Sequence, residues 1–298
     1  MVYSCSNFEF FINDYLESVF SQTVQSFDLL IVIDNADEEK VLSALSRYEK
    51  ASINVHVVNT EGKFSPIQLR KEVILKAYGL QANTLIFSDF DETVAENRVE
   101  EIINNITDFD FVFNDFYLTD SMLNRLSQES FFSKRPVPDI VDNFDSVKLC
   151  NFVGLGSVAL NLSRYRFDEL EFPETIVALD WFIVTKVLLD GGIGKKLTTT
   201  YANYRQHVDS LVGFDFRLDK NKLKQGIRVK KSHYMAFRDE CEIYNELYNE
   251  LHSLEQYIAE KGEEQYIDNI NKQFDASLFC WWENIKLLPE IKRDFKRT

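Results

Sequence analysis

Two aspartates lie one residue apart at the end of a short apolar run, in the stretch TLIFSDFDETVAEN over residues 84–97. Asp89 and Asp91 therefore place two carboxylates close together in the chain. Such a pair can attack a phosphate, hold a divalent cation, or begin an ordinary polar loop. The choice among these three depends on the elements that position the pair.

The elements around this pair alternate between strand and helix. Apolar runs rich in Val, Ile and Leu indicate strands, and apolar residues spaced three and four apart indicate helices. The predicted strands are 2–5, 28–34, 53–58, 84–88 and 109–115, and the predicted helices are 10–23, 37–48, 65–79 and 94–106. This alternation predicts an α/β sandwich around a largely parallel sheet.

The strand ends indicate where a ligand would bind. In parallel α/β sheets, ligands bind beyond the carboxyl ends of the strands. Asp34 ends the second predicted strand and Asp89 ends the fourth, so both are expected at that edge. The helix before the acid pair has clear limits, since Ser65 is a good N-cap, Pro66 suits the first position and Gly79 suits the end.

The regular alternation ends near residue 116. Residues 119–150 are predicted to be an irregular insertion, 151–162 a strand or hairpin, 175–192 a helix and 193–205 extended chain. From about residue 235 the pattern is helical throughout. We place a boundary near residue 214, which gives a catalytic domain at 1–214 and a helical extension at 215–298.

Composition excludes some classes of protein. The 298 residues carry a net charge of −15, which argues against a nucleic-acid-binding protein. The four cysteines are far apart, which suits a reduced, cytoplasmic protein. No run approaches the roughly 18 apolar residues of a membrane span, and the N-terminus has no basic region before an apolar one. We therefore expect a cytoplasmic protein that is at most peripheral to a membrane.

Two enzyme classes match single motifs. The run from Asp89 to Thr93 resembles the first motif of haloacid-dehalogenase-type phosphatases, but that motif normally follows the first strand and here three precede it. Those enzymes also need later acids, usually near a Gly-Asp pair, and the chain contains no Gly-Asp dipeptide.

Gly154, Gly156 and Ala159 fit the dinucleotide pattern G-x-G-x-x-A, which should open a long helix. The following LNLSRYRF is a poor helix, so we interpret these glycines as close-packing or loop residues.

Four further motifs occur in one order along residues 2–208. The helix ending in SVFSQT (18–23), followed by a strand ending in Asp34, resembles the opening of family 2 glycosyltransferases of the GT-A fold. The stretch from Arg70 to Glu92 resembles the link between an Arg-bearing helix and the D-x-D-D metal motif. LDWF (179–182) resembles the Glu-Asp-Trp element, and YRQH (204–207) resembles the Tyr-Arg-x-His element.

The resemblance implies a GT-A fold, a three-layer α/β/α sandwich around a mostly parallel mixed sheet, with a C-terminal helical extension. It also implies which residues form the donor site. The implied nucleotide-sugar-binding residues are Asn7, Asp34, Arg70, Asp89 and Arg205. The implied ligands of Mg²⁺ or Mn²⁺ are Asp91 and His207.

The same resemblance implies that Asp180 is the general base. It would accept the proton of the acceptor hydroxyl during a single displacement, which inverts the anomeric configuration. Leu179, Phe182 and Ile183 predict a buried helix face beside it. The family usually has Glu where this chain has Leu179, so a second acid is lost. The alternative for Asp180 is a helix N-terminal acid stabilised by the macrodipole.

The C-terminal region contains a strongly basic segment, although the whole chain is acidic. Residues 217–238 hold eight Lys or Arg and one Asp, a net charge of +7. With Trp281, Trp282, Leu287 and Leu288, they suggest a peripheral membrane contact, and a helical appendage packed on the catalytic domain is the alternative.

The motifs together predict an inverting, metal-dependent glycosyltransferase. It would move a sugar from a nucleotide-diphosphate donor to a saccharide or lipid-linked saccharide acceptor in surface polysaccharide biosynthesis. A non-catalytic binding or scaffold protein of the same fold remains a second hypothesis.

Overall fold

The structure is a computed structural model that describes residues 2–3, 8–34, 36–48, 52–206, 217–275, 278 and 281–288. It divides into two units. The first comprises Met1–Asn143, Val153–Phe172 and Val187–Val208, and the second comprises Phe144–Phe152, Pro173–Lys186 and Asp209–Thr298. Two segments before residue 190 therefore group with the C-terminal helices, which the sequence pattern did not predict.

The strands of the described residues all belong to the first unit. They are β1 (Val2–Tyr3), β2 (Asp28–Asp34), β3 (Asn54–Asn59), β4 (Thr84–Ile86), β5 (Thr93–Val94), β6 (Phe111–Thr119), β7 (Ile140–Val141), β8 (Val158–Asn161) and β9 (Gly194–Arg205). The helices that begin in this unit are α1 (Phe8–Phe20), α2 (Glu38–Leu45), α3 (Pro66–Gly79), α4 (Arg98–Asn105) and α5 (Phe131–Lys134).

The described strands form two sheets. The first has the order β1-β2-β3 and is parallel throughout its described part. The second has the order β4-β8-β6-β9-β5, with β7 also on β9. Its β6 and β9 pair in parallel, and its other pairings are antiparallel. Over the described strands, parallel pairing covers more of the strand length than antiparallel pairing does, in agreement with the predicted mixed α/β sheet.

The start of α3 follows from its sequence. The Ser65 hydroxyl accepts a hydrogen bond from the Gln68 backbone N–H, and the Gln68 side-chain oxygen accepts one from the Ser65 N–H. This is a capping box, which satisfies two otherwise unpaired donors. Pro66 occupies the first turn, and the helix ends at Gly79 as predicted.

Three differences from the sequence prediction bear on the site or on the domain division. The fourth helix begins at Arg98 and not at 94, because Thr93 and Val94 pair with β9 as strand β5. The glycine motif at 154–156 leads into a tight turn and then the antiparallel strand β8. A dinucleotide fingerprint must open a helix in a parallel unit, so the dinucleotide-binding interpretation of these glycines is wrong. The third difference is in the C-terminal helices, which begin at Lys220 and not near 235.

Apolar clusters pack the helices of the first unit onto its strands, and two are formed by the described residues. One joins α1, β2 and α2 and includes Leu16, Ile31, Ile33 and Val41. The other joins α4 with the second sheet and includes Ile102, Val112, Ala159 and Leu197. Because these clusters pack helices onto the strands, the loops at the strand ends have fixed starting points.

The second unit is helical. Its helices are the larger part of α6 (Leu179–Leu189), then α7 (Lys220–Phe237), α8 (Glu242–Lys261) and α9 (Glu263–Lys272). Trp281, Trp282 and Leu287 are buried, so these residues form core and not the exposed apolar surface that the sequence suggested. Within the described ranges, no helix has both the length and the apolar composition needed to span a bilayer.

Candidate functional site

The acid pair lies in the loop between β4 and β5. Asp89 and Asp91 are half-buried, whereas Phe90 between them is buried against the edge of Phe8 from α1. This alternation anchors the loop through the ring and leaves both carboxylates accessible. Arg70 of α3 lies beside the loop, with its Nη2 atom 3.6 Å from Oδ1 of Asp89. Two residues predicted for the donor site are therefore neighbours.

Glu92, the next acid in the motif, differs from the first two because it is buried. Burial raises the pKa of its carboxyl well above the ordinary value, and the nearby Asp89 and Asp91 raise it further, while Arg98 opposes the shift. The carboxyl group lies against Gly156, where a Cβ atom would be 2.9 Å from the Glu92 Oε1 atom. The sequence reading of Gly156 as a close-packing glycine is confirmed.

Arg98 holds the start of the acid loop from inside the protein. Its side chain donates to the backbone oxygen of Phe87 at 3.2 Å, to that of Gly156 at 2.7 Å and to Oδ1 of Asn114 at 2.9 Å. Desolvation lowers the pKa of this guanidinium to about 10, although nearby Glu92 favours its charged form. Sequence reasoning missed Arg98, because a single Arg at the start of a helix gives no local signal of burial.

Arg205, at the end of β9, holds the loop from another direction. Its Nε atom donates to the backbone oxygen of Asp91 at 2.9 Å, and Nη2 donates to Oδ2 of Asp14 at 2.8 Å. Its Nη1 atom donates to the backbone oxygen of Ser121 at 2.6 Å. The guanidinium also lies over the ring of Phe11. Arg205 thus meets the acid loop at Asp91, through the main chain.

Asp34 lies at the carboxyl end of β2, as predicted. Its side chain accepts a short hydrogen bond from the Thr60 hydroxyl, which also bonds the Ile33 carbonyl. The parallel register places Tyr3 of β1 opposite Asp34. Asn7 and His207, two further predicted site residues, lie outside the described residues.

Asp180 belongs to the second unit and occupies the first turn of α6. Its Oδ1 atom accepts a hydrogen bond from the Trp181 backbone N–H at 2.8 Å. Asp180 is half-buried, and Leu179, Phe182 and Ile183 are buried as predicted. An acid in the first helical turn is also stabilised by the helix dipole. The position of Asp180 is therefore compatible with both hypotheses, the general base and the helix-stabilising acid.

The donor set of the acid loop suits a hard divalent cation. In the described part of the chain, no three His, Cys, Asp or Glu side chains come together as a ready-made metal cage. Mg²⁺ sites that also bind phosphates use one or two carboxylates, the rest of the shell being phosphate oxygens and water. The half-buried carboxylates of Asp89 and Asp91 match that pattern, and Glu92 places a third carboxyl group beside them.

Several solved structures with a similar backbone are glycosyltransferases of the GT-A fold. S. aureus TarS in complex with UDP-GlcNAc has a TM-score of 0.52 at 16% identity, covering 80% of this chain and 73% of TarS. The mannosyltransferase PcManGT from Pyrobaculum calidifontis, in complex with GDP-Man and Mn²⁺, has a TM-score of 0.51 at 10% identity, covering 80% and 63%. GalNAc-T7 with UDP, GalNAc and Mn²⁺ has a TM-score of 0.52 at 13% identity, covering 95% and 54%. These likenesses show the fold.

The sequence identifies the family within that fold. The profile of glycosyl transferase family 2 matches residues 3–155, which is just over half of the chain. The chain therefore belongs to the family 2 glycosyltransferases, and the phosphatase reading of Asp89 and Asp91 is set aside. The comparison with curated protein sequences gives no match.

Proposed function

We propose that this glycosyltransferase is inverting and metal-dependent, and that it transfers a sugar from a nucleotide-diphosphate donor to a saccharide or lipid-linked saccharide acceptor. The observation that supports this most directly is the acid loop. It presents Asp89 and Asp91 at the end of a strand, beside a cationic Arg70, and is tied down by the buried Arg98 and Arg205. Surface polysaccharide biosynthesis is the role that fits such acceptors.

The donor would be held by groups of the first unit. Asp91 would ligate Mg²⁺ or Mn²⁺ together with His207, and Asp89 would contact the ribose or a metal-bound water. A bound divalent cation supplies Lewis acidity to the departing diphosphate, worth several kcal/mol. Asp34 would accept hydrogen bonds from the base or ribose. The solved complexes of TarS with UDP-GlcNAc and of PcManGT with GDP-Man and Mn²⁺ support this kind of ligand.

Two residues would complete the nucleotide-sugar contacts. Asn7 follows the first strand, where the family contacts the nucleotide. Arg70 would face the diphosphate, since its guanidinium already lies at the acid loop and is largely shielded from water. For Arg205, the partners seen in the structure favour support of the loop over direct contact with phosphate.

Asp180 would act as the general base. The acceptor oxygen forms its bond to the anomeric carbon as the bond from that carbon to the diphosphate oxygen breaks. The carboxylate takes the proton of the acceptor hydroxyl, and the nucleoside diphosphate leaves with the electron pair. Attack opposite the leaving group inverts the configuration. With Leu179 in place of the usual Glu, Asp180 is the one acid of this motif.

Calorimetric titration with UDP, GDP and dTDP, with and without Mn²⁺, tests the donor site. We expect one nucleotide to bind tightly with Mn²⁺ and measurably but more weakly without it, and we expect Asp91→Ala to lose the Mn²⁺-dependent part of the affinity. Asp28→Ala is the matched control, because Asp28 is an exposed acid at the opposite end of β2, bonded to Asn54 and His56. If the wild-type chain bound none of the three nucleotides with Mn²⁺, the proposed donor site would be wrong.

Asp180→Asn then tests the base. With the nucleotide identified, sugar transfer and nucleoside diphosphate release are measured with the corresponding nucleotide-sugars. We expect nucleotide binding to be retained and kcat to fall by about 10²–10⁴-fold, the usual contribution of general acid–base catalysis. An unchanged kcat would assign the base elsewhere. Binding without turnover in the wild-type chain would instead favour the non-catalytic binding or scaffold protein.

We further propose a cytoplasmic enzyme with peripheral membrane contact through the C-terminal region. The exposed basic residues of α7, which include Lys224 and Arg228, support an attraction to anionic lipid. Sedimentation with phosphatidylserine vesicles should show salt-sensitive binding that the double variant Lys224→Glu, Arg228→Glu abolishes. Equal binding by the wild type and the double variant would contradict membrane contact through α7.

A further inference from the structure

We infer that Asp14 and Arg205 form a bracket that positions the main chain at Asp91, which makes Asp14 a positioning residue for the metal site. This inference rests on the proposed function, because it assigns Asp91 to the metal. The bracket joins three distant parts of the chain, namely α1, the end of β9 and the loop between β4 and β5.

The geometry of Arg205 leaves it little freedom. Each of its three nitrogens donates to a different oxygen, on Asp91, Ser121 and Asp14, at distances between 2.6 and 2.9 Å. The planar guanidinium presents its donors in a fixed fork, so bonds in three directions determine both its position and its tilt. The ring of Phe11, 4.6 Å from the guanidinium carbon, supports one face.

Asp14 supplies the charge that keeps this fork in place. The Arg205 side chain is only 2% exposed, and a buried cation is costly unless an anion compensates it. Of the three oxygens that accept from Arg205, two are backbone carbonyls, and the carboxylate of Asp14 carries the negative charge. Asp14 itself is 43% exposed, so replacing it changes the bracket without opening the core.

The consequence reaches the metal through the main chain. Arg205 holds the carbonyl of Asp91, so it restricts the backbone from which the candidate metal-binding carboxylate extends. A metal site requires its ligands within about 0.5 Å of the productive position. Loss of Asp14 should therefore weaken the metal site while leaving contacts to the base and ribose in place.

The test compares Asp14→Ala, Asp14→Asn and the charge-conserving Asp14→Glu with the control Glu9→Gln. Glu9 lies on the same helix and forms an exposed ion pair with Lys40. Glu9→Gln therefore removes one negative charge and one ion pair but leaves the bonds of Asp14 and Arg205 unchanged. Free Mn²⁺ is measured by electron paramagnetic resonance, with UDP or GDP present at saturation. Nucleotide affinity without metal is measured in parallel by calorimetry, and circular dichroism verifies the fold.

We expect the Kd for Mn²⁺ to rise about tenfold or more in Asp14→Ala and Asp14→Asn, as when the supporting groups of metal ligands are removed. Glu9→Gln should match the wild type, Asp14→Glu should recover part of the affinity, and metal-free nucleotide binding should stay within about twofold. An unchanged Kd for Mn²⁺ in the Asp14 variants would overturn the inference, as would an equal loss of both affinities. Failure of the wild-type chain to bind nucleotide with Mn²⁺ would instead overturn the proposed function.

Discussion

The indole ring of Trp181 and the imidazole ring of His233 stack with their centroids 3.5 Å apart and their planes 4° from parallel. Trp282 stacks with the same indole at 4.8 Å, and the indole N–H donates to the Val147 carbonyl at 2.6 Å. Trp181 directly follows Asp180, so this stack holds the first turn of α6 within the second unit. His233 Nε2 also lies 3.4 Å from the Thr185 hydroxyl.

The buried His233 predicts a stability loss on mild acidification. Burial lowers its pKa well below the ordinary 6.5, so the folded state keeps the imidazole neutral. Below about pH 6.5 the unfolded chain takes up a proton that the folded chain refuses, and stability falls as pH falls towards the lower folded-state pKa. The slope reaches at most about 1.4 kcal/mol per pH unit.

Urea denaturation of the wild type and of His233→Phe between pH 7.5 and 5 measures this effect. The phenyl ring keeps the stack but cannot take up a proton, so the difference in unfolding free energy between the two proteins should change steadily below about pH 6.5. Acids elsewhere contribute equally to both chains. A difference that does not vary with pH would show that the folded state protonates His233 as readily as the unfolded chain does.

Gly226 in α7 predicts a packing defect on substitution. A Cβ atom there would lie 3.0 Å from both Trp281 and Trp282 and would overlap Ile285. Gly226→Ala should destabilise the second unit by about 1–3 kcal/mol, despite the better helix propensity of Ala. The control is Gly79→Ala in α3, where a Cβ atom meets nothing within 4 Å, and which should be neutral or stabilising. Thermal unfolding of both variants decides this, and equal melting temperatures would contradict it.

Gly156 predicts a functional defect from the same kind of change. A Cβ atom at Gly156 would collide with the Glu92 carboxyl and displace the acid loop, whereas one at Gly154 would meet only the Ser157 hydroxyl at 3.7 Å. We expect Gly156→Ala to lose at least tenfold in Mn²⁺-dependent nucleotide affinity and Gly154→Ala to retain it. Calorimetry on the two variants measures this. Full affinity in Gly156→Ala would mean that Glu92 moves away without disturbing Asp91.

Arg98 predicts a large loss of stability. Arg98→Met leaves the acceptors on Phe87, Gly156 and Asn114 without their donor in a buried site, which should cost about 2–5 kcal/mol. Arg98→Lys should recover little of this stability. The three acceptors lie around a planar guanidinium that carries several nitrogens, and the single ammonium nitrogen of Lys cannot lie close to all of them. Arg166→Met, which removes an exposed ion pair with Asp168, should cost less than about 1 kcal/mol. Chemical denaturation compares the three, and a loss for Arg98→Met no larger than that for Arg166→Met would rule out this role.

Local sequence determined much of the framework. The run DLLIVID is β2 to the residue, and Ser65, Pro66 and Gly79 limit α3 as predicted. The family and the α/β fold class also followed from motifs in their order along the chain. These succeed because periodicity, caps and short motifs involve residues that are close in sequence, where the side chains act directly on the local backbone.

Only the tertiary structure decided which partners the charged and aromatic side chains meet. The resemblance implied a nucleotide-sugar contact for Arg205, and the composition suggested a membrane surface for Trp282. The structure shows that Arg205 bonds the acid loop and that Trp282 stacks on Trp181. Asp14, Asp91 and Arg205 meet only after α1, β4 and β9 have packed. The energy of a buried charge depends on the groups that folding brings around it, so no spacing along the chain could encode that bracket.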